Sequence, residues 1–180
     1  MPVASVDPMA SRMRRTFPAV GAALLALALV TGCAPEPAPT PTPTGFASDD
    51  EAFAAAEATY RAYVEAGNEL RSDPNHTPTP ESFLTGQALT DSLESQRQIE
   101  DAGVHVVGDT SVNSVRPDKW DQSTATITGC LGLSSVRVID RSGADVTPAG
   151  RDDTAILQVS VIYAQPSPLI ISSTAGQGGC

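Results

Sequence analysis

Histidine is nearly absent from this chain: His76 and His105 are the only two. Cysteine is almost as scarce, with Cys33, Cys130 and Cys180. Zinc would need more ligands than Cys130, Cys180, His76 and His105 assemble, so no metal is expected. Basic residues are also few. Eleven Lys and Arg stand against 21 Asp and Glu, a formal charge of −10. Such a field repels nucleic acid and anionic lipid heads, and no nucleic-acid partner is expected. Other chemistry is missing as well. Asp118-Lys119-Trp120-Asp121 is too poor in oxygen ligands for a calcium loop. Gly176-Gln177-Gly178-Gly179 lacks the strand-to-helix setting of a phosphate loop, and it reads as a flexible tail. Ser134-Ser135 has no His and Asp partners that the sequence identifies. No catalytic set and no cofactor follow from these residues. There is no internal repeat and no coiled coil. After Val30 no apolar run is long enough to cross a membrane.

The most informative stretch lies near the N-terminus. Arg12, Arg14 and Arg15 precede an apolar run from Phe17 to Val30, which ends in Thr31-Gly32-Cys33. A basic region, an apolar region and a small-residue cleavage site form a signal-peptide pattern. The apolar run is shorter than the ~20 residues of a spanning helix. With Cys33 directly after the cut, the segment resembles a bacterial lipobox. That resemblance implies removal of residues 1–32 and a diacylglyceryl group on the Cys33 sulfur. Two acyl chains give a stable anchor where one is marginal. The expected location is therefore the extracytoplasmic face of a cell membrane, with the lipid as the membrane contact. Cleavage would remove three of the basic residues and Asp7, taking the formal charge from −10 to −12.

Residues 33–45 carry the lipidated Cys33 and a Pro/Thr-rich linker. Alternating Pro from Ala34 to Thr44 favours an extended polyproline II spacer. At ~3.1 Å per residue it gives roughly 30 Å of reach. Residues 46–180 are enough for one domain with its own core. Outside the cytoplasm the remaining pair, Cys130 and Cys180, reads as a disulfide.

Ser48 and Glu51 match a capping box, with Asp49 and Asp50 at the positive end of the helix. Phe53, Ala56, Tyr60, Tyr63, Val64 and Gly67 then recur at helical spacing. This stripe reads as core, and Tyr60 with Tyr63 would be the part able to wall a ligand site. Thr79-Pro80 can start a short helix containing Phe83 and Leu84. A longer helix follows from Gln87 to Ala102, with Leu89, Leu93, Gln96 and Ile99 as its buried face and Gly103 as its stop. Strands are expected at Val104–Val107, Val112–Val115, Ser123–Leu131, Val136–Asp140, Ala155–Tyr163 and Leu169–Thr174. His105 then lies half-buried among valines, and it is the one imidazole placed to act as a base. Asp109, Asp118 and Asp121 read as turn caps near Trp120. Trp120 itself either packs at the rim of the sheet or anchors a partner.

Helices followed by an antiparallel sheet give the α+β class. The order resembles the nuclear transport factor two-like superfamily, in which a curved sheet wraps a long helix into a cone. The closer likeness is to actinobacterial lipoproteins of that superfamily. It is carried by the lipobox and linker, Ala52 to Tyr63, Leu84-Thr85-Gly86, Thr128-Gly129-Cys130-Leu131, Val136 to Asp140, Asp145 to Pro148 and the terminal Cys180. The resemblance implies a fold and an envelope location, and no activity, because that fold hosts enzymes, binders and assembly modules alike. Combined with the missing catalytic set, it makes a non-catalytic envelope domain the expectation. Such a domain would bind a small ligand, with Tyr60, Tyr63, His105 and Trp120 as the candidate residues, pair with a second copy, or engage another envelope protein. The alternative is an isomerase- or dehydratase-like enzyme that uses His105 or a buried Asp inside the cone.

Overall fold

Helix α1 (Asp49–Ser72) begins where its side chains can satisfy the first free amides. The Ser48 hydroxyl accepts from the Glu51 amide at 3.1 Å, and the Glu51 carboxylate accepts from the Ala47 amide at 3.0 Å. The box expected of Ser48 and Glu51 is thus closed one residue earlier than in its usual form. The structure is a computed structural model, which describes residues 44–180. The signal segment 1–32, the lipidation site Cys33 and almost all of the linker lie outside the described residues.

Ala52, Ala56, Tyr60 and Val64 form the buried stripe of α1. They pack on one face of an antiparallel sheet built from β2 (Ser111–Trp120), β3 (Thr124–Gly132), β5 (Thr154–Ile162) and β6 (Leu169–Ala175), in the order β2-β3-β5-β6. The pairing of β3 with β5 runs unbroken from Thr124↔Ile162 to Gly132↔Thr154. Alternation puts Ala125, Ile127 and Leu131 against α1, joined by Val159, Val161 and Ile170. The class is α+β, with helices packed against antiparallel sheets. A second, two-stranded sheet pairs β1 (Val104–Val107) with β4 (Arg137–Asp140).

Strand β2 corrects one expectation. It was expected to stop at Val115 with Asp118 in a turn, yet it continues through Pro117 to Trp120. It is an edge strand, where a proline costs no ladder bond on its free side. Its register shifts near Ser114 and again near Pro117. The Asp118 carboxylate accepts from the Gln158 side-chain amide across the sheet. Asp121 does cap the β2–β3 turn, accepting from the Ser123 and Thr124 amides at 2.8 Å.

The short helix expected from Thr79-Pro80 is present as a 3-10 helix, Pro80–Phe83, with Thr79 at its N-cap. Leu84 then leaves it to bridge Ile170 of β6. Helix α2 (Gly86–Ala102) ends at Gly103 in the left-handed region, φ 68°. Its expected buried face is buried only at the start, where Leu89 packs against the core beside the buried Ala88. Farther along, Leu93 is 40% exposed and Ile99 36%. Only the first turns of α2 approach the sheet, so its later turns have no apolar layer to bury against.

Cys130 and Cys180 are bonded, with Cα atoms 5.5 Å apart. Cys130 lies inside β3, not at the sheet end that the sequence suggested, and it points away from α1. The tail is therefore drawn across the outer face. The Gly176 amide extends the ladder to the Ile156 carbonyl at 2.8 Å before the chain reaches Cys180.

Candidate ligand-binding cleft

Because α2 stands away from the sheet, space remains between it, α1 and the inner sheet face. The space has two adjacent parts that share wall residues. An inner cavity of about 170 Å³ lies over Leu84, Ala88, Val159 and Ile170. An outer cleft of about 470 Å³ continues past Leu131, Leu157, Ile99 and Arg71 to His105. Tyr60, Tyr63, Ser92, Ser95 and Ser173 border both parts.

Tyr60 stands between the two. It is 1% exposed and its ring presses on β3 at Gly129. A Cβ at position 129 would lie 2.6 Å from the Tyr60 ring, so only glycine admits this approach. The phenol hydroxyl is buried without a hydrogen-bond partner. Tyr63 stacks beside it, with ring centres 6.5 Å apart. Burial pushes the Tyr60 phenol far above its usual range, and Tyr63 adds to this. The Tyr63 phenol is also raised, by burial first and by Glu81 second, while Arg71 pulls the other way. Both phenols are protonated donors at neutral pH.

Arg71 closes the outer end and ties α1 to the β1–β2 connection. Its Nε donates to the Gly108 carbonyl at 2.9 Å, and its Nη2 donates to the Asn68 amide oxygen and to Thr110 Oγ1. Asn68 in turn pairs with both the amide and the carbonyl of Thr110, each at 3.0 Å. Partial burial lowers the Arg71 pKa, and Asp109 and Tyr63 oppose the shift. A guanidinium keeps its proton under such a shift. Across the cleft, the Glu81 carboxylate accepts from the Gln96 side-chain amide.

Three of the four residues expected at a ligand site thus meet: Tyr60 and Tyr63 on the walls and His105 at the rim. His105 is exposed on β1 opposite Ile139, not half-buried as its valine neighbours suggested. Trp120 is elsewhere. It ends β2 opposite Ala125, packs against the core and borders a separate recess of about 250 Å³ with Thr126 and Ser160. Sequence reasoning missed Arg71, Ser92, Ser95 and Ser173. Arg71 had a usable signal, because it continues the stripe Tyr60, Tyr63, Gly67 by one more turn, where a cation on an apolar face is out of place. The serines had none. Among the described residues, no three His, Cys, Asp or Glu side chains come together as metal ligands would.

No family model matches the chain, and no curated protein matches it significantly. Among solved structures, the intermembrane space region of chloroplast protein ARC6 is similar over 66% of this chain and 94% of that one. Identity is 14% and the TM-score is 0.41, a level that establishes no shared fold.

Proposed function

We propose that residues 46–180 form a non-catalytic, small-ligand-binding domain of the nuclear transport factor two-like kind, held at the outer face of a membrane by lipid on Cys33. The observation that carries this reading is the unfilled, largely apolar cleft of about 470 Å³ between α1, α2 and the sheet. Its volume lies within the ~300–1,000 Å³ typical of small-molecule sites, and a few polar groups converge on it as such sites require. A long α1 laid across a bulged antiparallel sheet supports the cone architecture.

The isomerase or dehydratase alternative is less well supported. It needs a base facing an enclosed substrate. His105 is exposed at the rim of an open cleft, and both tyrosines are held in their protonated form by burial. Native mass spectrometry of the protein isolated from its own cells tests the binding reading. A small molecule retained with the chain is the expected result. A chain that carries no added mass, either alone or as a dimer, would favour assembly over ligand binding.

The anchor is tested separately. Cells fed an alkyne-labelled fatty acid should label the wild-type chain and not Cys33→Ala. The cleaved Cys33→Ala chain should leave the membrane with its domain folded. Membrane retention of that cleaved chain would remove lipid as the sole anchor.

A further inference from the structure

The ligand-binding reading can be sharpened, because the two ends of the cleft differ chemically. The inner end is floored by Leu84, Ala88, Val159 and Ile170, each less than 10% exposed. Asp91 stands at its α2 edge, where it accepts from Gln87. At the outer end Arg71 is, among the described residues, the one Lys or Arg on the walls of either part. Its Nε and Nη2 are committed to Gly108, Asn68 and Thr110, and Nη1 makes no hydrogen bond among the described residues. The Tyr60-to-Arg71 stretch of α1 spans about 16 Å, so the cation stands about three helical turns from the tyrosine that borders the apolar floor.

Charge then narrows the ligand. The chain is strongly acidic, and Asp109 and Glu81 flank the Arg71 region. A bare anion gains nothing from the long-range field. An anion reaches Arg71 only if an apolar body supplies the binding free energy.

From this geometry we infer that the cleft takes a single-chain amphiphile with an oxyanion head: the chain points to Leu84, Ala88 and Ile170, and the head meets the free Nη1 of Arg71. This rests on the ligand-binding reading above. Tyr60 sits along the chain path, and Ser92 and Ser95 form the polar edge that keeps the passage open to solvent on the α2 side. Each added methylene should tighten binding roughly fourfold until the passage is full.

The test uses the full-length protein in native membrane discs, without detergent, and a photoreactive dodecanoate with its diazirine near the chain end. Labelled peptides should map to the segments containing Leu84–Ala88 and Val159–Ile170, and excess dodecanoate should compete. Ser92→Phe, a change on a solvent-facing helix that fills the passage, should abolish labelling. Arg71→Gln should weaken competition by dodecanoate on the order of tenfold while leaving dodecanol unchanged, a selectivity that mere loosening of the 108–110 connection would not produce. Equal competition by acid and alcohol in the wild type would overturn the head-group assignment. Absence of specific labelling, together with a different retained molecule that Ser92→Phe expels, would overturn the amphiphile and leave ligand binding standing. Absence of any ligand, unaffected by Ser92→Phe, would overturn both.

Discussion

Tyr60→Phe should make this domain more stable without weakening binding. The Tyr60 hydroxyl is buried with no hydrogen-bond partner, in a side chain that is 1% exposed. Leaving a buried donor unsatisfied costs about 1–3 kcal/mol. Replacing the phenol by a phenyl ring removes that cost and keeps the ring contact with Gly129 and the stack on Tyr63. Only the dispersion contacts of one oxygen are lost, a few tenths of a kcal/mol. The expected gain is therefore about 1 kcal/mol, which raises Tm by about 3–5 °C for a domain of this size. Trp120 is the one tryptophan, so its fluorescence follows thermal unfolding without added probes. Ligand retention, measured by native mass spectrometry on the same protein, should be unchanged, because the apolar chain passes Tyr60 and the head lies at Arg71. Two results refute the reasoning. A loss of stability would mean that the hydroxyl already has a partner. A gain in stability with lost retention would mean that the hydroxyl meets a ligand acceptor, against the chain path inferred above.

Three other outcomes are expected. Cys180→Ser frees the tail and opens the 51-residue loop between the bonded cysteines; it should lower stability by up to about 4 kcal/mol, with the helical circular dichroism retained. Ser48→Ala removes the α1 cap and should cost about 1 kcal/mol in denaturant unfolding, with fraying confined to the first turn. Asp121 accepts from the Ser123 hydroxyl and the Ser123 and Thr124 amides, which hold its carboxyl below the usual 3.8. Its contribution to stability is thus present above about pH 4 and is lost as pH falls through the lower folded value. Carboxyl titration by NMR should show Ser123→Ala moving Asp121 up toward 3.8, and an unchanged midpoint would discount the hydroxyl.

The elements legible in the sequence are those whose periodicity and punctuation agree. Ser48 and Glu51 place the start of α1 within a residue, and the alternation around Ile127 and Val159 places β3 and β5. The pairing of Cys130 with Cys180 was readable once Cys33 was set aside as the expected lipidation site, which leaves a single pair. Strand β2 was cut short because Pro117 and Asp118 look like a turn, and nothing local says that this strand has a free edge. The facing of α2 was read only in part. Leu89, Leu93, Gln96 and Ile99 recur at helical spacing, but periodicity cannot say whether another surface lies opposite them. Leu89 does pack against the core and Gln96 and Ile99 do border the cleft, but the helix is rotated so that Ala88, Ser92 and Ser95 share that face while Leu93 stays in solvent.

That rotation is also what creates the site. Had the later turns of α2 presented leucines inward, hydrophobic burial at about 25 cal/mol per Å² would have drawn the helix onto Leu131 and Leu157 and closed the space. Serines at 92 and 95 give no such pull, and a lone Ile99 at the far end is too little to compensate. Helix α2 is instead held at its two ends, by Ala88 and Leu84 against β6 and by the Gly103 turn into β1. An inward helix face of small hydroxyls opposite an apolar floor is a poor way to build a core. It is a sound way to keep a passage open until an amphipathic molecule fills it. Ser92→Leu with Ser95→Leu should therefore behave opposite to most cleft-directed changes, raising thermal stability by collapsing α2 onto the sheet while eliminating ligand uptake. Uptake that survives in the stabilised double variant would separate the cleft from binding altogether.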